Sequence, residues 1–408
     1  MELEIGRQVI EGIKAIIPIS LLECALCVPQ YCCGALFGLG FCAYYFFEVV
    51  KTPLLVCAEG PFYDFLVENV PILKSKFWPT LWCFESRAQT IFASVVRASV
   101  LPHMKYRREL LTLSDGGEVA LDWAEENSSN SSPIVIILPG LTGASQAEYI
   151  KCLVFAARNS GMKCVIFNYR GMGGVKIKTP RFYCATSYED LAEVIDHVKK
   201  LHPHISLGAT GISMGGLLLG NYLAKYGRDA YGKLKAALII SVPMNIFEAT
   251  KSIEKPYINL LLNKYLCDNL QRILRRHVGE ESFQDLDLNK VYQSKTVREF
   301  DESFTSRHFG YRDAADYYTC ASLHDKLHLV EIPLLCLGAA DDPFQPLQAI
   351  PLEEASKLKN VAMVVTSRGG HIGFLEGFWP LKEEQYIGKV FAQYFTAVFT
   401  AKKGHPAF

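Results

Sequence analysis

Neither sign of charge is in excess in this chain: 42 Lys and Arg residues balance 42 Asp and Glu. With no net field to gather a polyanion, nucleic acid is excluded as an expected partner. A disulfide scaffold is missing too, although there are 13 cysteines. Five of them (Cys24, Cys27, Cys32, Cys33, Cys42) crowd one apolar N-terminal stretch, and the rest sit singly, mostly inside apolar runs, as reduced buried thiols do. The pair Cys24-x-x-Cys27 lies too close to Cys32-Cys33 for a zinc module, so no metal is expected. No internal repeat stands out, and no signal-peptide cleavage site is evident. What the chain has in quantity is apolar surface: half its residues are hydrophobic. Such a balance points to a membrane segment or to an apolar ligand.

Charged residues are absent from Ala25 to Phe47, a length that lets a helix cross the hydrocarbon layer. Glu23 precedes it, Glu48 and Lys51 follow it, and Tyr44-Tyr45-Phe46-Phe47 suits an interfacial belt. A membrane anchor over about 25–47, within an N-terminal segment 1–50, is therefore expected. Arg7 and Lys14 before it, against Lys51 after it, lean towards a cytosolic N-terminus. Residues 51–105, punctuated by proline and aromatics, read as a connector. Two Asn-x-Ser triplets, at Asn127 and Asn130, are glycosylation sequons that matter only on a lumenal face.

From Tyr106 the pattern changes. Arg108–Leu113 and Glu118–Trp123 alternate about Asp115-Gly116-Gly117, a hairpin signal. Continuous apolar runs follow at Ile134–Leu138, Cys164–Phe167, Ala236–Ile240, Leu334–Leu337 and Val361–Val365, as in parallel strands covered on both faces. Amphipathic stretches lie between them, such as Glu189–Lys200 with Leu191, Val194, Ile195 and Val198 on one side. The fold class expected is α/β, a mostly parallel doubly wound sheet over about 106–400. The stretch from about 243 to 330 is too long for a simple connection and reads as a helical cap insertion over the strand ends.

Gly211-Ile212-Ser213-Met214-Gly215 fits G-x-S-x-G between an extended segment and a helix-like run, the setting that exposes a serine on a strained turn. A serine hydroxyl is a poor nucleophile and needs a base, itself oriented by a carboxylate. His371, after the Val361–Val365 run and the small-residue loop Ser367-Arg368-Gly369-Gly370, is the expected base. Asp342, held extended before Pro343, is the expected acid, with Asp341 the alternative. Leu138-Pro139-Gly140-Leu141-Thr142-Gly143 follows the first core run, where an oxyanion hole takes one donor; the backbone N–H of Leu141, or else of Thr142, would pair with that of Met214. No G-x-G-x-x-G or Gly-Lys-Ser/Thr pattern follows that turn, so no cofactor is expected.

These segments, with Asn168-Tyr169-Arg170-Gly171, Asp341-Asp342-Pro343-Phe344, Gly369-Gly370-His371-Ile372-Gly373-Phe374 and the upstream Trp82-Cys83-Phe84-Glu85-Ser86-Arg87, resemble the α/β-hydrolase superfamily. Within it they are most similar to the membrane phospholipase and acyltransferase group. The resemblance implies an α/β-hydrolase fold and a single-pass anchor in the endoplasmic reticulum membrane. It also implies cleavage of acyl esters of phospholipids, with phosphatidylcholines of short or truncated chains as substrates. Acyl transfer to an alcohol, with the same triad, is the first alternative; a silent lipid-binding scaffold is the second. Tyr257, Leu260, Leu261, Leu262 and Leu266, near Arg272, Arg275, Arg276 and His277, would form an apolar wall with a basic end, or simply a core helix with a solvated end. His308 and Asp313 match an acyltransferase H-x-x-x-x-D spacing, read here as chance.

Overall fold

The computed structural model of the chain describes residues 30–126, 128–277, 283, 286–380, 384–402 and 404–407. Contacts divide it into two units, Met1–Val50 and Lys51–Phe408. In the first, a helix over Gln30–Tyr44 runs into a wider π turn at Tyr45–Val49. Within it Cys32–Val49 is long and apolar enough to cross a membrane. The start of the expected anchor, residues 25–29, lies outside the described residues, as do Cys24, Cys27, Arg7, Lys14 and the sequon residue Asn127.

The second unit is built on nine strands: β1 Leu54–Val56, β2 Arg107–Thr112, β3 Glu118–Ala124, β4 Ile134–Leu138, β5 Lys163–Asn168, β6 Leu207–Ile212, β7 Ala236–Ile240, β8 Leu334–Ala339 and β9 Val361–Thr366. Their order is β1-β9-β8-β7-β6-β4-β5-β3-β2. The six from β4 to β9 pair in parallel. β1 and the β2–β3 hairpin add antiparallel edges. Every residue of β4, β5, β6, β7 and β9 is buried, because helices cover both faces, whereas β2 alternates exposed and half-buried positions. Cutting Ile136 back to alanine should therefore cost about 2–5 kcal/mol, and cutting the exposed Leu110 far less.

Helices Tyr188–Leu201 and Met214–Lys233 lie on one face, their Leu191, Val194, Ile195, Val198 and Leu218 joining its core. Helices Pro61–Asn69, Glu148–Asn159 and Tyr386–Thr400 cover the other, with Phe62, Leu153 and Phe391 in its core. The stretch 51–105, read above as a connector, supplies the edge strand β1, buries Phe62, Phe65, Leu66 and Phe77, and carries the helix Ser86–Val100. Its proline and aromatic punctuation hides the fact that its partners are distant in sequence: Leu55 pairs with Val364. Between β7 and β8 the chain leaves the sheet for the helices Ile246–Ile253, Ile258–His277, Leu288–Gln293 and Ala314–Ala321, with a π turn at Asp301–Thr305.

Candidate active site

The chain turns sharply between β6 and the helix that follows, and Ser213 sits on that turn with φ 52° and ψ −119°. A non-glycine residue there is strained, and the neighbours hold it: its N–H donates to the Ile240 carbonyl at 2.9 Å. Glycine flanks it for steric reasons, since a Cβ on Gly215 would fall on the carbonyls of Leu138 and Pro139, and one on Gly211 on the backbone of Gly215. His371 Nε2 lies 3.0 Å from Ser213 Oγ. Its Nδ1 lies 2.9 and 3.2 Å from the two oxygens of Asp342, which also accepts the N–H groups of Phe344 and Gln345 at 2.8 and 3.2 Å. A carboxylate against Nδ1 favours the tautomer with the proton there, leaving the Nε2 lone pair to the serine hydroxyl.

The neighbouring acid does something else. Asp341 accepts the Gly370 N–H at 2.9 Å, and its other oxygen is buried without a hydrogen-bond partner. Burial pushes its carboxyl up to about 7, the charge of Asp342 adding to the rise while the Gly370 N–H and Arg368 oppose it. Of the two candidates, Asp342 meets the imidazole and Asp341 fastens the histidine loop.

That loop is also held from far upstream. On the helix Ser86–Val100, Thr90 Oγ1 accepts the His371 N–H at 2.9 Å. Gln89 accepts the Leu375 N–H at 2.7 Å. Arg97, fully buried, gives Nη1 to the Ile372 carbonyl at 2.7 Å, Nη2 to the Gly373 carbonyl and Nε to Gln385 at 2.6 Å. Burial lowers the pKa of its guanidinium, so these acceptors are what keeps the cation in place. Nothing local in the sequence marks Thr90, Gln89 or Arg97; the Trp82–Arg87 motif at the start of this helix was the available signal.

The Leu138–Gly143 turn curls over Ser213. Gly140 N–H donates to Tyr149 Oη at 3.0 Å and Thr142 N–H to Tyr183 Oη at 3.3 Å, while Tyr169 Oη donates to the Pro139 carbonyl at 2.6 Å. Among the described residues the N–H groups of Leu141 and Met214 meet no protein acceptor, and both residues line the cavity above the serine. Thr142, the alternative donor, is taken by Tyr183. These three tyrosines, Tyr169 and Tyr183 buried and Tyr149 half-buried, are braces that sequence reading missed.

The cavity holds about 400 Å³. Ser213 and His371 open into it; Leu217, Ile246, Ile253 and Leu266 give it apolar walls. One ionisable side chain in its roof is unusual. Asp301, on the π turn, accepts hydroxyls from Thr305 at 2.6 Å and Tyr318 at 3.0 Å, and burial raises its carboxyl to about 6. Of the wall expected on and just before the helix Ile258–His277, Leu266 lines the cavity, but Tyr257, Leu260 and Leu261 are exposed. The expected basic end is elsewhere: Arg275 stacks 4.1 Å over Tyr292, and His277 Nε2 lies 3.1 Å from the Gly171 carbonyl. A helix 20 residues long turns most of its side chains away from any one cavity.

The remaining motifs hold structure. Asn168 bonds Asp122 and Ser145, at 2.9 and 3.0 Å, and the buried Arg170 pairs with the exposed Asp115 and the buried Asp190, each at 2.7 Å. His308 Nε2 accepts the Phe182 N–H at 3.0 Å, and Asp313 caps the helix Ala314–Ala321. They do different work, and the H-x-x-x-x-D spacing is coincidental. Among the described residues, no group of three or more His, Cys, Asp or Glu side chains is placed to hold a metal ion.

Comparison with known proteins agrees with this architecture. Residues 133–378 match the family described as the alpha/beta hydrolase fold. The chain is 41% identical over 375 residues to the Phospholipase ABHD3 of Mus musculus, covering 90% of this chain and 89% of that one. It is 26% identical over 355 residues to the Monoacylglycerol lipase ABHD2 of Homo sapiens, covering 82% and 83%. Among solved structures, a bacterial membrane phospholipase A matches at 16% identity with a TM-score of 0.47, covering 77% of this chain and 93% of that one. With its parallel sheet, its serine elbow after β6 and the family match over residues 133–378, the chain belongs to the α/β-hydrolase family.

Proposed function

We propose that this protein is a membrane-anchored serine hydrolase that cleaves acyl esters of phospholipids, phosphatidylcholines of short or truncated chains among them, through an acyl-enzyme on Ser213. The observation that carries the reading is the continuous relay from Asp342 through His371 to Ser213 Oγ, opening into an apolar cavity beside two unengaged N–H groups. The resemblance to phospholipase and lipase relatives supports the substrate class.

In the reaction, His371 Nε2 takes the Ser213 proton as Oγ attacks the ester carbonyl. The carbonyl oxygen gathers negative charge, and the N–H groups of Leu141 and Met214 receive it; such a preorganised donor is worth about 10²–10³ in rate. The imidazolium, facing Asp342, gives its proton to the leaving lysolipid oxygen as the ester C–O bond breaks. Water then repeats the cycle on the acyl-enzyme, freeing the fatty acid and restoring Ser213. The helices between β7 and β8 act as the cap over the acyl chain.

The test is turnover of phosphatidylcholine by the reconstituted full chain beside Ser213→Ala, with lysolipid and free acid read by mass spectrometry. Release by the wild type and a loss of about 10⁴-fold or more in the variant supports the reading. No release from either protein across acyl-chain lengths would sink it.

A further inference from the structure

Trp82, Phe92, Phe378 and Trp379 form one exposed aromatic cluster on the catalytic unit. Each is between 45% and 64% exposed. The Trp82 ring stands 5.9 Å from both Phe92 and Trp379, and Phe378 lies 5.7 Å from Trp379. Trp82 Nε1 donates to the Phe378 carbonyl at 2.8 Å, so the cluster is preformed. Trp78, 46% exposed, joins its edge, where its carbonyl accepts the Gly377 N–H at 3.0 Å. Of the four tryptophans in the chain, three belong to this surface; the fourth, Trp123, is buried. Contiguous apolar surface of this kind is uncommon on a monomer and marks a docking site.

We infer that this surface seats the catalytic unit on a phospholipid bilayer, aromatic rings at headgroup level, with the cavity mouth turned to the lipid. Three independent observations point to a bilayer. Phe92 lies on the helix Ser86–Val100, whose Thr90, Ser94 and Arg97 line the catalytic cavity, so the patch flanks the mouth. Across the mouth, the helix Ile258–His277 places Tyr265 in the same cavity wall while leaving it 63% exposed, and Arg87 Nε ties the two helices through Asn259 Oδ1 at 2.7 Å. A protein seated there would cover the opening; a bilayer supplies the substrate through it. Chain connectivity gives the second reason: Lys51, the first residue after the apolar N-terminal unit, bridges Phe77, the neighbour of Trp78. The third is chemical: tryptophan pairs an apolar ring with one polar N–H, which suits the boundary between hydrocarbon and water. The inference rests on the lipid reading above for what passes through the mouth, but not for the docking itself.

Bromine on lipid acyl chains quenches tryptophan at the membrane boundary, and the described N-terminal helix contains no tryptophan, so emission reports this patch. The full chain reconstituted in brominated phosphatidylcholine vesicles should lose about half its emission relative to ordinary phosphatidylcholine vesicles. The Phe92→Ser/Phe378→Ser/Trp379→Ser variant should hydrolyse vesicle lipid about tenfold more slowly while keeping its rate on a water-soluble short-chain ester. Unchanged emission in brominated vesicles overturns the inference, as does a parallel fall on both substrates by a variant whose circular dichroism and melting match the wild type. Because quenching is read on the wild type, a variant that folds poorly leaves the test intact. Quenching without hydrolysis of vesicle lipid would sink the phospholipase reading and leave the docking surface standing.

Discussion

Around the floor of the catalytic cavity, Thr142, Ser213, Ser241, Ile372 and Phe374 all hold positive φ angles; in the roof, Tyr257, in the turn before the helix Ile258–His277, alone does among the described non-glycine residues. The floor is made of loops leaving the ends of β4, β6, β7, β8 and β9, each braced from several directions. The roof is made of helices that meet the cavity through side chains such as Ile246, Ile253, Tyr265 and Leu266. Strain of this kind persists only where packing over-determines it, and here it collects where atoms must be placed to a fraction of an ångström. The roof needs no such placement, because it has only to admit or refuse an acyl chain. Changes to the floor should therefore abolish the chemistry on every ester, and changes to the roof should alter which ester is accepted.

The largest effect expected is on the floor. Asp342→Asn should leave the fold intact and lower kcat by about 10⁴, since the amide no longer favours the required imidazole tautomer. Asp341→Asn should keep most of the activity, and equal losses in the two variants would show that the acid has been misassigned. In the roof, Leu266→Trp should slow turnover of long-chain esters about tenfold relative to short ones, a selectivity change that a chain-length series reads directly. A uniform loss across the series would erase the distinction between floor and roof.

The smallest effect is on stability, and it sharpens the comparison because each region holds one carboxyl that burial holds well above the usual range. Asp341 titrates at about 7 and Asp301 at about 6 in the fold, against an ordinary 3.8. The native state keeps these protons to a higher pH than the unfolded chain does. Their contribution is therefore fully present below about pH 4 and lost as pH rises through about 6 to 7. Denaturant unfolding at pH 5 and pH 8 should show the drop, on the order of one to a few kcal/mol. Asparagine at either position should flatten it. A drop unchanged in both variants would place its cause elsewhere.

Which parts of this could be read from the amino-acid order follows the same division. Ile134–Leu138 and Val361–Val365 stood out because a strand buried on both faces has no polar positions to break the run. Ser213, Asp342 and His371 stood out because each sits in a short loop whose small residues or proline announce a special backbone. The holders of those loops left no such trace: Thr90 and His371 meet across 281 positions, and Gln89 and Leu375 across 286. β1 was hidden for a related reason, three residues being too short to show a period. The roof was harder again. Its helices are amphipathic towards one another as well as towards the cavity, so periodicity alone could not say whether Leu261 or Leu266 faces the substrate.

The clasp of Arg97, Gln89 and Thr90 on the histidine loop sets a rule for anyone trimming this protein to a soluble enzyme. Starting the chain at the first hairpin strand, near Tyr106, would spare every residue that takes part in bond making, yet it would delete the clasp together with β1. The His371 N–H and the carbonyls of Ile372 and Gly373 would lose their partners. The cut that respects the chemistry falls before Lys51, so the shortest competent catalyst includes about fifty residues that contain none of its reacting groups.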